Sequence, residues 1–266
     1  VLVSTWPAGD LVWPSPNWGM GACDVGQGEG VVRASGPGHA VVVDAGPDPA
    51  LIDACLARLH VAVVDAVVLT HFHADHVDGL PGVLHGRTIR QILTSPVPDP
   101  AFQVREVQGW AAAAGIPVQP LYPGDELRWG LVHAAVIWPA RVIREGSVPN
   151  NSSIVMSVDI SGLRVLMLGD VETEAAHQVL LALRHGPAYG GVDGFDVLKV
   201  AHHGSRLQDP ALLSAVRAPV ALISVGAGNT YGHPAAGTLK LLQAAGDRVF
   251  RTDQRGDVAV SRGSDG

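Results

Sequence analysis

Short β-branched runs broken by glycine fill the first part of the chain. Gly21 to Val25, Gly30 to Ala34 and His39 to Asp44 read as a strand, turn, strand series. Pro49 to Leu59 then reads as a helix: Pro49 suits a first turn, and Leu51, Ile52, Cys55, Leu56 and Leu59 recur on one face. Val61 to Thr70 is a buried strand that runs into His71-Phe72-His73-Ala74-Asp75-His76, with a short helix from Asp78 to Leu84. A strand over Thr88 to Leu93 and a helix over Asp99 to Ala114, stopped by Gly115, come next. Two strands are expected around Leu127 to Trp138. Asn150 to Ile160 and Leu163 to Leu168 form a hairpin across Ser161-Gly162, ending at Gly169-Asp170. A helix over Thr173 to Arg184 follows, then a strand at Val197 to Val200 leading into Ala201-His202-His203-Gly204-Ser205. Helix 209–216, strand 219–225, helix 234–245 and a closing strand pair complete the pattern, and no repeat of about 20 to 50 residues is evident.

Strands in two groups, each followed by helices, predict an α/β sandwich of two sheets with helices on its outer faces. The 266 residues, 47% hydrophobic and 16% charged, can bury such a core. The longest apolar run, Val61 to Leu69, is broken by Asp65 and is too short for a spanning helix. Val1 to Trp18 carries Pro7, Pro14 and Pro16 and lacks a basic start, so it is not a signal peptide. Residues 1–18 are therefore expected to be an extension or linker and 19–266 the domain. With no initiating Met, the chain reads as a piece of something longer. Cys23 and Cys55 are too few for a disulfide framework; two buried thiols are expected, with one bridge as the alternative in an oxidising compartment.

The net charge of −7 argues against a broad basic face for nucleic acid. It leaves room for local contacts, because 16 of the 18 basic residues are arginine and bound divalent cations would add positive charge. His71, His73, Asp75 and His76 put four metal-donor groups into six residues. In extended backbone His71 and His73 point the same way, while Asp75 and His76, further round the turn, address a second ion. Two ions about 3.5 to 4 Å apart need a bridging carboxylate and further donors. The candidates are Asp170 and the His202-His203 pair, both just after buried strands; the alternative for Asp170 is a cap on the Thr173 helix.

These motifs resemble the metallo-β-lactamase-fold hydrolases and, within them, the soluble domain of the ComEC family of bacterial DNA-uptake proteins. The resemblance runs nearly end to end. It rests on Asp24-Val25-Gly26-Gln27-Gly28, Val43-Asp44-Ala45-Gly46, the His71 to His76 motif, Asn150-Asn151-Ser152-Ser153, Leu168-Gly169-Asp170, His202-His203-Gly204-Ser205 and Asn229-Thr230-Tyr231-Gly232-His233-Pro234. It implies an αββα sandwich with two divalent ions, manganese or zinc. His71 and His73 would hold one ion and Asp75, His76 and His203 the other, with Asp170 bridging. His203 is preferred to His202 because it directly precedes the glycine. Catalytic roles are implied for Asp75, His202 and His233, the last as general acid, with capping or packing as its alternative. Asp44 would orient an imidazole or, alternatively, cap a turn. Asp24, Gln27, Ser205 and Tyr231 would border the substrate.

Two departures from the superfamily pattern stand out. Where the superfamily has a further metal-binding histidine, this chain has Asn150 and Asn151, a replacement shared by ComEC-like sequences, and either asparagine could supply an oxygen. Glu29 stands where Asp usually follows Val-Gly-Gln-Gly. The Gly26-Gln27-Gly28 turn is read either as a phosphate cradle or as a plain hairpin. Histidines 39, 60, 85, 133, 177 and 185 are expected on the surface or in packing roles. The function implied is a phosphodiesterase cutting the non-transported DNA strand during natural transformation. The DNA substrate and a transmembrane channel portion of the same polypeptide are its expected partners, with no nucleotide cofactor, in an extracytoplasmic domain of a membrane protein. The alternatives are an ester, lactone or thioester hydrolase and a non-catalytic DNA-binding or channel-regulating domain.

Overall fold

A computed structural model describes residues 1–6, 13–15, 17–186 and 191–262. The first half runs β1 (Leu2–Trp6), β2 (Trp18–Ala22), β3 (Val31–Gly36), β4 (His39–Val43), α1 (Pro49–Arg58), β5 (Val63–Leu69), α2 (Ala74–Val77), α3 (Leu80–Leu84), β6 (Thr88–Ile89), β7 (Ile92–Thr94), α4 (Ala101–Ala114) and β8 (Val118–Pro120). The second half runs β9 (Glu126–Trp129), β10 (Val132–Trp138), α5 (Val148–Asn151), β11 (Val155–Ile160), β12 (Leu163–Met167), α6 (Thr173–His185), β13 (Val197–Lys199), α7 (Pro210–Val216), β14 (Val220–Ile223), α8 (Ala236–Ala245), β15 (Arg248–Arg251), α9 (Thr252–Arg255) and β16 (Asp257–Ser261).

Two sheets result. One has the order β1-β16-β2-β3-β4-β5-β7-β8, with β6 also on β5; the other has the order β15-β14-β13-β12-β11-β10-β9. Each sheet is antiparallel on one side and parallel on the other, the change falling at β4 and at β12. Alternation along the strands builds the layers. On β4, Val41 and Val43 face the opposite sheet, while Ala40 and Val42 face the layer that contains Ile52 and Leu56 of α1. A third cluster joins the second sheet to α6, α7 and α8 through residues such as Leu198, Val179, Leu212 and Leu242. The layers are thus helix, sheet, sheet, helix, as the sequence pattern predicts. Among the described residues no helix is long and apolar enough to cross a membrane.

Asp65, the break in the apolar run, sits where the β4–β5 register slips by one residue. Its carboxylate accepts Ser35 Oγ at 2.6 Å and lies 3.2 Å from His39 Nδ1, so a nearly buried charge keeps its partners. The parallel strands matter most for function. Chain segments leaving the carboxyl ends of β4, β5, β12, β13 and β14 carry Asp44, His71, Asp170, His202 and Ser224 to the same end of the sandwich.

Several expectations need correction. Residues 2–6 are not an extension: Leu2–Trp6 adds an edge strand along β16, with Val1 and Val3 packed on the inter-sheet core. Residues 7–12 and 16 of the expected linker, and residues 263–266, lie outside the described residues. The closing strands are not a pair. β15 extends the second sheet beside β14, whereas β16 crosses to the first sheet between β1 and β2. Asn150 and Asn151 lie in a short helix, not a strand, started by Ser147 as cap and Pro149 in its first turn. Cys23 and Cys55 are bridged, with Cα atoms 5.9 Å apart, because the loop after β2 packs on the buried face of α1.

Candidate metal centre

The strand β5 ends at Leu69, and the chain then turns sharply under the control of Asp44. That carboxylate accepts the Thr70 N–H at 2.7 Å, the Thr70 hydroxyl at 2.7 Å and His76 Nδ1–H at 2.8 Å. One buried side chain therefore shapes the histidine loop and fixes the His76 tautomer, leaving Nε2 free. His203 is set the same way from the other sheet, its Nδ1 donating to the Ser224 carbonyl at 2.9 Å. Asp44, His202 and His203 all lie in the left-handed region (φ 58°, 50° and 53°), conformations that cost free energy and persist at functional sites because the surroundings hold them. Gly169 (φ 53°) makes the corresponding turn before Asp170, where a Cβ would overlap Ser153.

These turns bring Asp75, His76, Asp170 and His203 together, with one donor atom from each lying within 4.8 Å of the others. Asp170 Oδ2 is 3.3 Å from His76 Nε2, 3.5 Å from His203 Nε2 and 3.8 Å from His202 Nε2; Asp75 Oδ2 is 3.2 Å from His203 Nε2. His71 Nε2 lies 3.1 Å from His73 Nδ1, and the His71 ring is 4.1 Å from that of His76. Asp170 therefore stands centrally, against donors from both sheets.

Burial opposes charge on His203, yet the Asp170 and Asp75 carboxylates push its imidazole up to about 9. His76 is likewise raised well above its ordinary value: desolvation is outweighed by Asp170, Asp44 and Asp75. The reciprocal effect of His76 and His203 holds the Asp75 and Asp170 carboxyls well below the usual range despite their burial. His71 is pushed well down by burial and by His76, which leaves a neutral ring suited to metal ligation. Such a pocket draws positive charge between its carboxylates. Divalent cations fit the donor set, because His76 Nε2, His203 Nε2 and Asp170 Oδ1 are buried polar atoms with no hydrogen-bond partner.

The metallo-beta-lactamase superfamily model matches residues 30–226. The chain belongs to the metallo-beta-lactamase superfamily. It is 29% identical over 198 residues to "ComE operon protein 3" of Bacillus subtilis (strain 168), covering 73% of this chain and 24% of that protein. It is 26% identical over 255 residues to "Recombination protein 2" of Haemophilus influenzae, covering 92% of this chain and 29% of that protein. Both relatives are of the ComEC type that the motifs resemble, and the chain spans only about a quarter to a third of their length. The superfamily-fold protein YhfI of Bacillus subtilis shares the fold at 13% identity, with a TM-score of 0.56 over 90% of this chain and 98% of that one.

Against this superfamily background, the structure separates the two asparagines. Asn151 is satisfied: its Oδ1 accepts the Glu172 N–H at 3.0 Å and its Nδ2 donates to the Glu145 carbonyl at 2.8 Å. Asn150 borders the cluster: its Nδ2 donates to Glu172 Oε1 at 3.3 Å and lies 3.5 Å from His202 Nε2, and its Oδ1 is buried without a partner. The Gly28 end of the Gly26-Gln27-Gly28 turn packs against the histidine loop. A Cβ on Gly28 would overlap the Asp75 carbonyl, and the Glu29 N–H donates to that same carbonyl at 3.1 Å, so this loop supports the site from behind. Gln27 Oε1 accepts the Gly226 N–H at 3.1 Å, and Asp24 Oδ1 accepts the Gly26 N–H at 3.4 Å while its own N–H donates to Asp257 Oδ1 at 2.8 Å. Ser205, His202, Tyr231 and His233 line a cleft of about 370 Å³ beside the centre.

Sequence reasoning missed Thr70, Ser153 and Lys199. Ser153 Oγ accepts the Asp170 N–H at 3.0 Å and lies 3.3 Å from His71 Nδ1. Lys199 Nζ donates to Glu29 Oε2 at 2.6 Å with both side chains fully buried, linking the strand before His202 to the loop behind Asp75. One of only two lysines in the chain, set in the apolar run Val197 to Val200, was the available signal.

Proposed function

We propose that this chain is the metal-dependent phosphodiesterase domain of a ComEC-type DNA-uptake protein, cutting the DNA strand that is not transported during natural transformation. The observation that carries the reading is the buried set of unpartnered donors around Asp170, reached from both sheets, in a chain of this superfamily. In this reading His71 and His73 would hold one divalent cation, manganese or zinc, with the Asn150 oxygen in place of the missing histidine. Asp75, His76 and His203 would hold the other, with Asp170 placed to contribute to both. Such cations supply Lewis-acid polarisation of a phosphodiester and a water acidic enough to attack at neutral pH.

The chain's own residues do the rest. Asp44 and the Ser224 carbonyl hold His76 and His203 with Nε2 aimed inward. His233 stands at the mouth, its ring 5.4 Å from that of His202, and burial together with the nearby His202 and His203 lowers its proton affinity. We assign it to donate a ring N–H to the departing oxygen. His202, beside Asp170 and Glu172, shares that edge of the cleft. The Cys23–Cys55 bridge supports an extracytoplasmic setting, since such bonds persist in oxidising compartments. The proposed setting is a longer polypeptide with a transmembrane channel portion.

The test is digestion of plasmid and linear DNA by purified protein with manganese or zinc, with Asp75→Ala as control. Cleavage by the wild type alone is expected. Intact DNA, with elemental analysis showing metal on the wild type, overturns the reading; turnover of a lactone or thioester panel under those conditions would assign the site to carbonyl chemistry.

A further inference from the structure

Tyr231 is 72% exposed, more than any other large hydrophobic side chain among the described residues. It does not hang on a loose loop. Asn229 pins the turn at three points: its Nδ2 donates to the Gly226 carbonyl (3.0 Å) and the His233 carbonyl (2.7 Å), and its Oδ1 accepts the His233 N–H (3.2 Å). A rigid turn thus holds an aromatic ring in water, where burying it elsewhere would have gained hydrophobic stabilisation.

The ring is also aligned with the centre. Tyr231 lies 5.9 Å from the His233 ring at 29° between planes, and His233 lies 6.3 Å from His203 at 25°. Two successive stacked pairs therefore lead from solvent to a buried residue of the cluster, along a path of about 12 Å. Arg206 lines the same cleft, exposed and with no hydrogen bond or ion pair among the described residues.

We infer that Tyr231 and Arg206 form a subsite for an unpaired nucleotide, the phenol ring stacking a base and the guanidinium holding a neighbouring phosphate. At about 3.4 Å per stacked nucleotide, the stacked base sits a few nucleotides from the phosphodiester at the centre. A ring face recognises any base but only one that is free of its duplex neighbours. The acidic chain needs no broad basic surface for this, since one arginine fork and one ring suffice locally. This inference rests on the phosphodiesterase reading for its substrate, but makes a separate prediction about which strands are held.

The experiment measures fluorescence anisotropy of labelled oligothymidylate, of the same length of abasic strand and of a duplex, in chelator, alongside cleavage in manganese. Tyr231→Ala should weaken binding of the thymidylate roughly 10- to 100-fold. It should leave the abasic strand and duplex unchanged, with Tyr231→Trp restoring the wild-type value. Arg206→Ala should weaken all strands and reduce the salt slope by about 0.7, a slope that Tyr231→Ala leaves alone. Thymidylate binding by Tyr231→Ala within twofold of wild type, or an equal loss on the abasic strand, overturns the subsite. A wild-type protein that binds as described but cuts nothing supports the subsite and sinks the nuclease reading instead.

Discussion

Lys199→Met tests how the two halves of the centre are held together. Asp75 and His76 come from the first sheet and Asp170 and His203 from the second, and the buried Lys199–Glu29 pair spans them. Glu29 is tied into the first half through its N–H to the Asp75 carbonyl and its carbonyl to the Gly46 N–H at 2.7 Å. Removing the ammonium leaves Glu29 fully buried, with Oε1 already lacking a partner. Breaking such a pair from one side costs about 3–5 kcal/mol. Arg33, buried nearby and lowered to about 9 by desolvation against the pull of Glu29, supplies compensating charge, so the lower end of that range is expected. At roughly 2–4 °C per kcal/mol for a chain of this size class, the melting temperature should fall by about 6–12 °C. The double variant Glu29→Leu with Lys199→Met removes both charges and should regain part of that loss, the remainder reflecting the buried Arg33 guanidinium left without Glu29. Its metal affinity should nevertheless stay below wild type, because nothing then ties Asp75 to the strand before His202. Urea unfolding in chelator gives the stability and calorimetric titration the affinity. A single variant within about 1 kcal/mol of wild type, or a double variant no better than the single, would refute the reasoning.

Metal should stabilise the fold, since the donors converge only when both sheets are formed: manganese or zinc at about 100 times its dissociation constant adds about 2.7 kcal/mol, chelator reverses it, and Asp170→Asn abolishes the shift in a thermal melt. Asn150→His should restore the superfamily's imidazole at a position whose oxygen is buried without a partner, raising affinity for the weaker-bound zinc ion at least tenfold by calorimetry. Asp247 is raised to about 6 by burial, with neither carboxylate oxygen partnered. The folded state therefore holds its proton more tightly than the unfolded state, and this group's contribution lowers stability as pH rises from about 4 to 6. Asp247→Asn should stabilise by about 1 kcal/mol, after allowing for solvent screening, at pH 7 and by nothing near pH 4, read from urea unfolding at both pH values.

Local pattern determined much of this protein: the alternation that makes β4 and β5 two-faced, the helical face of Leu51 to Leu59, and the loops carrying His71 to His76, Asp170 and His202-His203. Those features depend on neighbours within a few residues, so period and turn chemistry expose them. Tertiary packing decided which donors meet. Asn150 and Asn151 are chemically identical and adjacent, yet the helix begun at Ser147 leaves the Asn150 oxygen buried and unpartnered beside His202 while the Asn151 oxygen accepts the Glu172 N–H. Glu29 reads as a family substitution until the sandwich closes and sets its carboxylate on Lys199. β16 looks like the partner of β15 and instead pairs in the opposite sheet, and Cys23 meets Cys55 across the packing of a loop on α1. Each of these depends on contacts between segments far apart in the chain, made when a sheet closes or two layers pack, and no local periodicity encodes them.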